Sequence, residues 1–177
     1  MLKNPFQVAV TFSILALCVK LLIFSMGIQH GDMEKYIIYI YTLILLVAIF
    51  FGIRSNKITI EGNATFGDDF KAGARTASFF AIIVSLITYI YYAHIDIDFF
   101  EIKKQPILDS IKSAAQEKLK TQSKEEVTAY ILNQLKGIGM YLSPYFQAMW
   151  TMFGLVFMGL FYSAVFSFIM RKLPGFK

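Results

Sequence analysis

The stretch from Tyr36 to Ile53, YIIYIYTLILLVAIFFGI, holds no charged residue and no proline, and its single glycine sits one residue from the end. As a helix, at about 1.5 Å per residue, it reaches roughly 27 Å, close to the ~30 Å hydrocarbon core of a bilayer. A helix of that length in a soluble fold needs a polar face, and this stretch has none. It predicts a transmembrane helix. Three further apolar segments of similar length surround it, so the whole chain is expected in a membrane. The 16% of charged residues agrees, because soluble domains carry about 25%. A net charge of +5 in a soluble chain would suggest nucleic acid. In a membrane chain the placement of Lys and Arg matters instead, because it orients the spans, and no nucleic-acid partner is expected.

The expected fold is all-α: an integral membrane four-helix bundle forming a single domain over residues 1–177. The spans fall at about 6–27, 36–53, 73–93 and 146–169. An extramembrane amphipathic helical hairpin at about 106–137 separates helices three and four. The first run, Phe6 to Gly27, is too long for a signal-peptide core and no small-residue cleavage site follows it, so it reads as an uncleaved span. Cys18 is the single cysteine, which excludes an intrachain disulfide. Leu15-Ala16-Leu17-Cys18 does not qualify as a lipoprotein box, because Leu17 is bulky and the apolar run continues. Lys20 lies inside the same run. Its ammonium either snorkels to the interface or is a buried cation that forms an intramembrane ion pair with Asp96 or Asp98.

Between the first two helices, His30 reads as a solvated loop residue and Asp32 as a cap for helix two. Ser55 to Asp69 reads as a loop. Within it, Thr65 is placed to cap helix three, with Asp68 three residues on. Asn63-Ala64-Thr65 has the glycosylation spacing, but its loop is assigned to the cytoplasmic side. Helix three, about Asp69 to Tyr92, carries Gly73, Ala77, Ala81 and Ser85 at four-residue spacing. Helix four, about Pro144 to Ile169, carries Gly159, Ser163 and Ser167 in the same way. Such stripes let helix backbones approach closely in lipid. The methionines of helix four read as packing residues rather than a copper relay.

His94, Asp96 and Asp98 are the nearest thing to a metal-ligand group. At i, i+2 and i+4 they share a face in extended chain, and no second cluster accompanies them. They read as interfacial anchors. H-E-x-x-H, G-x-S-x-G and a phosphate-cradling glycine loop are all missing from the sequence. Catalytic residues, cofactors and metals are therefore not expected, and the chain reads as non-enzymatic.

In the hairpin, Pro106 is placed as the first helical residue, ahead of Ile107, Leu108, Ile111, Ala114, Ala115 and Leu119 at helical spacing. Ser123-Lys124-Glu125-Glu126 is a capping box, and Gly137 reads as the end of the second helix. Residues 93–145 hold seven Lys and seven Asp or Glu, a net charge of zero. The apolar stripe needs a cover: the other helix, the bilayer surface or another protein. Four spans put both termini on one side. That side holds all three arginines, Arg54, Arg75 and Arg171, and is assigned to the cytoplasm. Tyr36, Tyr39, Tyr41, Tyr89, Tyr91, Tyr92, Tyr141, Tyr145 and Trp150 gather near the opposite interface, as an aromatic belt does.

Two stretches carry a family resemblance: Thr65-Phe66-Gly67 through Lys71-Ala72-Gly73, and Tyr91-Tyr92-Ala93-His94-Ile95-Asp96-Ile97-Asp98-Phe99. With the charged hairpin before the last span, they resemble the bacterial four-helix membrane proteins catalogued as domain of unknown function 4199. That family's pattern is Y-Y-x-x-I-D-P-x-F, and here Asp98 stands for the proline. The resemblance implies a multi-pass protein of the inner membrane and brings no catalytic residue. The expected role is an interaction or scaffold subunit that meets the lipid bilayer and, through the 106–137 hairpin, a protein partner or a second copy. The alternative is an oligomeric channel or transporter component, for which Lys20 is the one ionisable residue within a span.

Overall fold

The computed structural model describes residues 4–30, 33–60 and 64–172. Every regular element among them is helical: α1 Pro5–Ser25, α2 Met33–Thr59, α3 Phe66–Ile90, a π-helical turn Tyr91–Ile95, α4 Phe99–Lys118, α5 Lys124–Tyr141 and α6 Pro144–Lys172. Four segments are long and apolar enough to cross a membrane: Pro5–Ser25, Tyr36–Thr59, Phe66–Ile95 and Pro144–Lys172. The chain therefore has the make-up of a multi-pass membrane protein. It divides into two compact units, Met1–Ile87 with Trp150–Lys177, and Thr88–Met149.

The first unit is a four-helix bundle of α1, α2, most of α3 and most of α6. Local signals set its helix ends. Asn4 accepts from the Gln7 N–H at 2.9 Å, and Pro5 supplies the first helical residue of α1. At the other end Gly27 takes φ +68°. The Gly27 N–H then donates to the Phe24 carbonyl at 2.9 Å and the Ile28 N–H to that of Ile23 at 3.4 Å, which closes the helix with a left-handed cap. The core is Ala9 and Ala16 from α1, Tyr41, Ile44, Leu45, Ile49 and Ile53 from α2, Ala77, Phe80, Ala81 and Val84 from α3, and Leu155 and Met170 from α6. Exposed apolar residues such as Leu43, Phe153, Phe157 and Phe161 cover the outside, the arrangement expected when lipid is the solvent.

The Ser55–Asp69 loop is overturned. α2 runs on to Thr59 and α3 begins at Phe66. Hydropathy reports where lipid stops, whereas the helical hydrogen bonds continue: Ile60 N–H still donates to Asn56 at 3.0 Å. Thr65 does cap α3 with Asp68. Each backbone N–H meets the other side chain, at 3.0 Å for Thr65 N and 3.3 Å for Asp68 N. Asp32 and Asn63 lie outside the described residues.

The second unit contains the hairpin of α4 and α5. Residue boundaries differ from expectation at both ends. Pro106 lies inside α4, which starts seven residues earlier at Phe99. Proline forfeits one hydrogen bond there, and the helix tolerates the loss. Gly137 does not end α5, which passes through Gly137 and Gly139 to Tyr141. A glycine ends a helix by turning left-handed, and Gly27 is the glycine that does so among the described residues. The capping box is present as read: Ser123 Oγ accepts from Glu126 N–H at 3.3 Å, and Glu126 Oε2 accepts from Ser123 N–H at 3.1 Å.

Candidate functional site

The helices of the first unit meet where side chains are smallest. A Cβ added at Gly73 would fall 2.8 Å from Ser163 Oγ, so α3 and α6 touch there nearly backbone to side chain. One at Gly159 would overlap the Ala77 methyl. The stripes of α3 and α6 thus face each other along this line. Ala81, Ser163 and Ser167 are buried with them, and Ser85 nearly so. Ser163 and Ser167 satisfy their hydroxyls on the Gly159 and Ser163 carbonyls, both at 2.6 Å. A third approach lies outside these two stripes. A Cβ on Gly52 of α2 would overlap the Thr76 hydroxyl of α3. The sequence does carry a signal for it: Ala48, fully buried, lies four residues before Gly52, the same small-residue spacing as on α3 and α6.

One end of the same unit holds a buried ion pair. Lys57 Nζ, near the end of α2, lies 3.3 Å from Asp69 Oδ2 in the first turn of α3. The Asp69 side chain is wholly buried, and Lys57 keeps 12% exposure. Lys57 also donates to the Met170 carbonyl near the end of α6 at 3.5 Å. A single ammonium thereby ties the ends of three helices, and it places a cation against the negative end of α6. The contact with Asp69 is ionic rather than an aligned hydrogen bond. Hydropathy places Lys57 in a loop and so hides the pair. The available signal is a Lys at the end of one helix and an Asp at the start of the next, across a short connection.

Lys20 is buried within the bundle, at 3% exposure. It belongs to the buried stripe of α1 with Val8, Ala9, Ser13, Ala16 and Ile23. Its ammonium lies 5.9 Å from the centroid of the Tyr41 ring on α2, within range of a cation–π interaction. Ser13 Oγ and the Tyr41 hydroxyl are also buried, without hydrogen-bond partners among the described residues.

In the second unit, Asp96, His94 and Asp98 do not converge. Asp96 is buried and accepts from the Tyr91 hydroxyl at 3.2 Å, while His94 and Asp98 are exposed. The π turn explains the divergence. Asp96 N–H bonds the Tyr91 carbonyl five residues back at 2.9 Å, so these residues follow neither extended nor α-helical spacing. Among the described residues, no three His, Cys, Asp or Glu side chains come together as a metal site. Tyr91 and Tyr92 are buried rather than displayed in an interfacial belt. Tyr92 packs on Phe99 and Phe100, with ring centroids at 4.5 and 5.2 Å. The aromatic motif is a structural knot at the turn from α3 into α4.

Residues 7–172, nearly the whole chain, match the family described as protein of unknown function (DUF4199). The chain belongs to that family. No curated protein and no solved structure matches it.

Proposed function

We propose that this DUF4199 member is a non-enzymatic interaction or scaffold subunit of a bacterial inner membrane, with both termini cytoplasmic and the α4–α5 hairpin as its extracytoplasmic docking element. The observation that carries the reading is the outer face of α5. Thr128, Leu132, Leu135 and Gly139 are all exposed there, at spacings of four, three and four residues, while Val127 faces inward. That is the narrow apolar seam by which one helix receives another. No carboxylate follows Glu126 on α5, and Lys136 is its one later charge, so little charge must be desolvated when the seam is covered. The sidedness rests on the three arginines, which lie toward the ends of α2 and α6 and near the start of α3.

A photoreactive residue at Leu132 or Leu135 in native membranes tests the reading. A discrete crosslinked protein, or a crosslinked dimer, supports it. Labelling of lipid alone, or of nothing, sinks it. A reporter on the carboxyl terminus checks the sidedness independently.

A second reading, an oligomeric channel or transporter component, draws on the buried Lys20 beside Tyr41. Ionisable groups buried at membrane depth are costly and concentrate on transport paths. Lys20→Ala that left ion flux and solute uptake unchanged in liposomes would remove its support.

A further inference from the structure

We propose that Lys71 and Arg75 of α3, with the Phe6–Phe79 ring pair beside them, form a binding site for the headgroup and upper acyl chain of an anionic phospholipid. The outward stripe of α3 reads Lys71, Arg75, Phe79, Ile82 and Leu86, all exposed. At 100° per residue they fall within an arc of about 80°, so they form one line along the helix. Its first two members are cations one turn apart, and its last three are apolar. Phe6 of α1 adds to the apolar part. It is 52% exposed and meets Phe79 edge-on, with ring centroids 5.2 Å apart.

Neither cation has an ion-pair partner within 4.0 Å among the described residues. The carboxylates nearby in sequence are committed elsewhere. Asp68 accepts from the Thr65 hydroxyl at 2.6 Å and from its N–H at 3.0 Å. Asp69 points inward to Lys57. Lys71 and Arg75 therefore present cations held in no direct ion pair where a span meets its interface, with Asp68 the one nearby carboxylate whose charge Lys71 also feels. Stems of this length allow the charged heads to sit outward of an apolar line. A phosphodiester fits between a guanidinium fork and an ammonium one turn away. A zwitterionic lipid brings its own cation to that place, whereas an anionic lipid brings none. A free phosphate would use the cations and leave the apolar half of the line unused. The inference rests on α3 spanning the bilayer and is independent of the hairpin's role.

The test is native mass spectrometry of the full chain in detergent, titrated with phosphatidylglycerol or phosphatidylcholine. At about 1 kcal/mol per cation near an anionic surface, K71Q/R75Q is expected to weaken phosphatidylglycerol binding about 30-fold and leave phosphatidylcholine unchanged. Equal affinity in variant and wild type overturns the proposal. Displacement of the lipid by millimolar inorganic phosphate overturns it too, because the site then selects a free anion. A photoreactive phosphatidylglycerol on unmodified protein avoids dependence on folding of the variant. Label concentrated on Phe66–Leu86 and around Phe6 supports the site. Label spread evenly over α2 and α6 overturns it. A phosphatidylcholine analogue that labels Phe153, Phe157 and Phe161 reports separately that the chain is in the bilayer. Failure of the site is thereby distinguished from failure of the membrane assignment.

Discussion

The bundle unit and the hairpin unit are both helical and both carry ion pairs, yet the pairs differ in kind. In the bundle, Lys57–Asp69 joins two helices and buries its carboxylate. In the hairpin, Lys104–Glu101 at 2.7 Å and Lys112–Asp109 at 3.4 Å each stay within one turn of α4, on its surface. The helix contacts differ likewise. Bundle helices meet through Gly73, Gly159 and Gly52, where side chains are absent. Hairpin helices meet through longer side chains, as where the Lys118 ammonium lies 4.6 Å from the centroid of the Tyr130 ring. Lipid gives no hydrophobic drive for helices to associate, so close packing and shared polar contacts must hold them. In the hairpin, local caps and side-chain contacts between amphipathic helices take that part.

The contrast breaks first at Lys57. Lys57→Ala leaves Asp69 buried without its cation and is expected to cost about 3 kcal/mol of stability, at the low end for a broken buried pair because Lys57 is partly exposed. K57M/D69L removes both charges together and should recover most of the loss. Thermal unfolding in detergent checks both; a Lys57→Ala melt equal to wild type would show that the pair is ornamental. Next is Gly73→Leu, which must push α3 away from Ser163, with an expected loss of about 2 kcal/mol. Gly154→Leu is the matched control, because a Cβ there meets nothing within 4 Å. If both variants melt alike, close packing is not what separates bundle from hairpin.

The sequence exposes the bundle more readily than its site. Four spans follow from hydropathy alone, because lipid forces each segment to be apolar for its whole length. Gly73 and Gly159 stand out because each belongs to a four-residue series. Gly52 pairs only with Ala48, too short a series to stand out in an otherwise large-residue run, although its approach to Thr76 is as close as any. Lys57 and Asp69 stay hidden because polar residues after a span look like loop, and helices do not stop where lipid does. Lys20 shows the opposite limit: a lone lysine near a span end fits two readings by sequence, and its burial against Tyr41 comes from tertiary packing that spacing does not show. In the hairpin the cap at Ser123 is readable, since a capping box is local. Pro106 and Gly137 mislead, because packing carries α4 and α5 through residues that usually stop a helix.

The hairpin variants sharpen the same contrast with smaller effects. Pro106→Ala restores the hydrogen bond that α4 lacks and removes the ring from the preceding turn. A gain of about 1–2 kcal/mol in local stability is expected, below the full helix-interior penalty because the native helix has already adjusted. Amide exchange across Ile102–Ile111 should slow. Unchanged or faster exchange would mean that the proline is accommodated without cost.

Ser123→Ala has the smallest expected effect. It deletes the hydroxyl that accepts from Glu126 N–H, while Glu126 can still reach back to the residue 123 N–H. Half of the capping box survives, so the expected cost is about 1 kcal/mol. The loss should appear as faster amide exchange in the first turn of α5, with the bundle melt unmoved. This locality is the sharpest form of the comparison. Ser123 serves one exposed helix end, whereas Lys57 neutralises a wholly buried carboxylate where the ends of three helices meet. If Ser123→Ala also lowered the bundle melt, the two units would unfold as one body, and the separate rules argued for them would reduce to one.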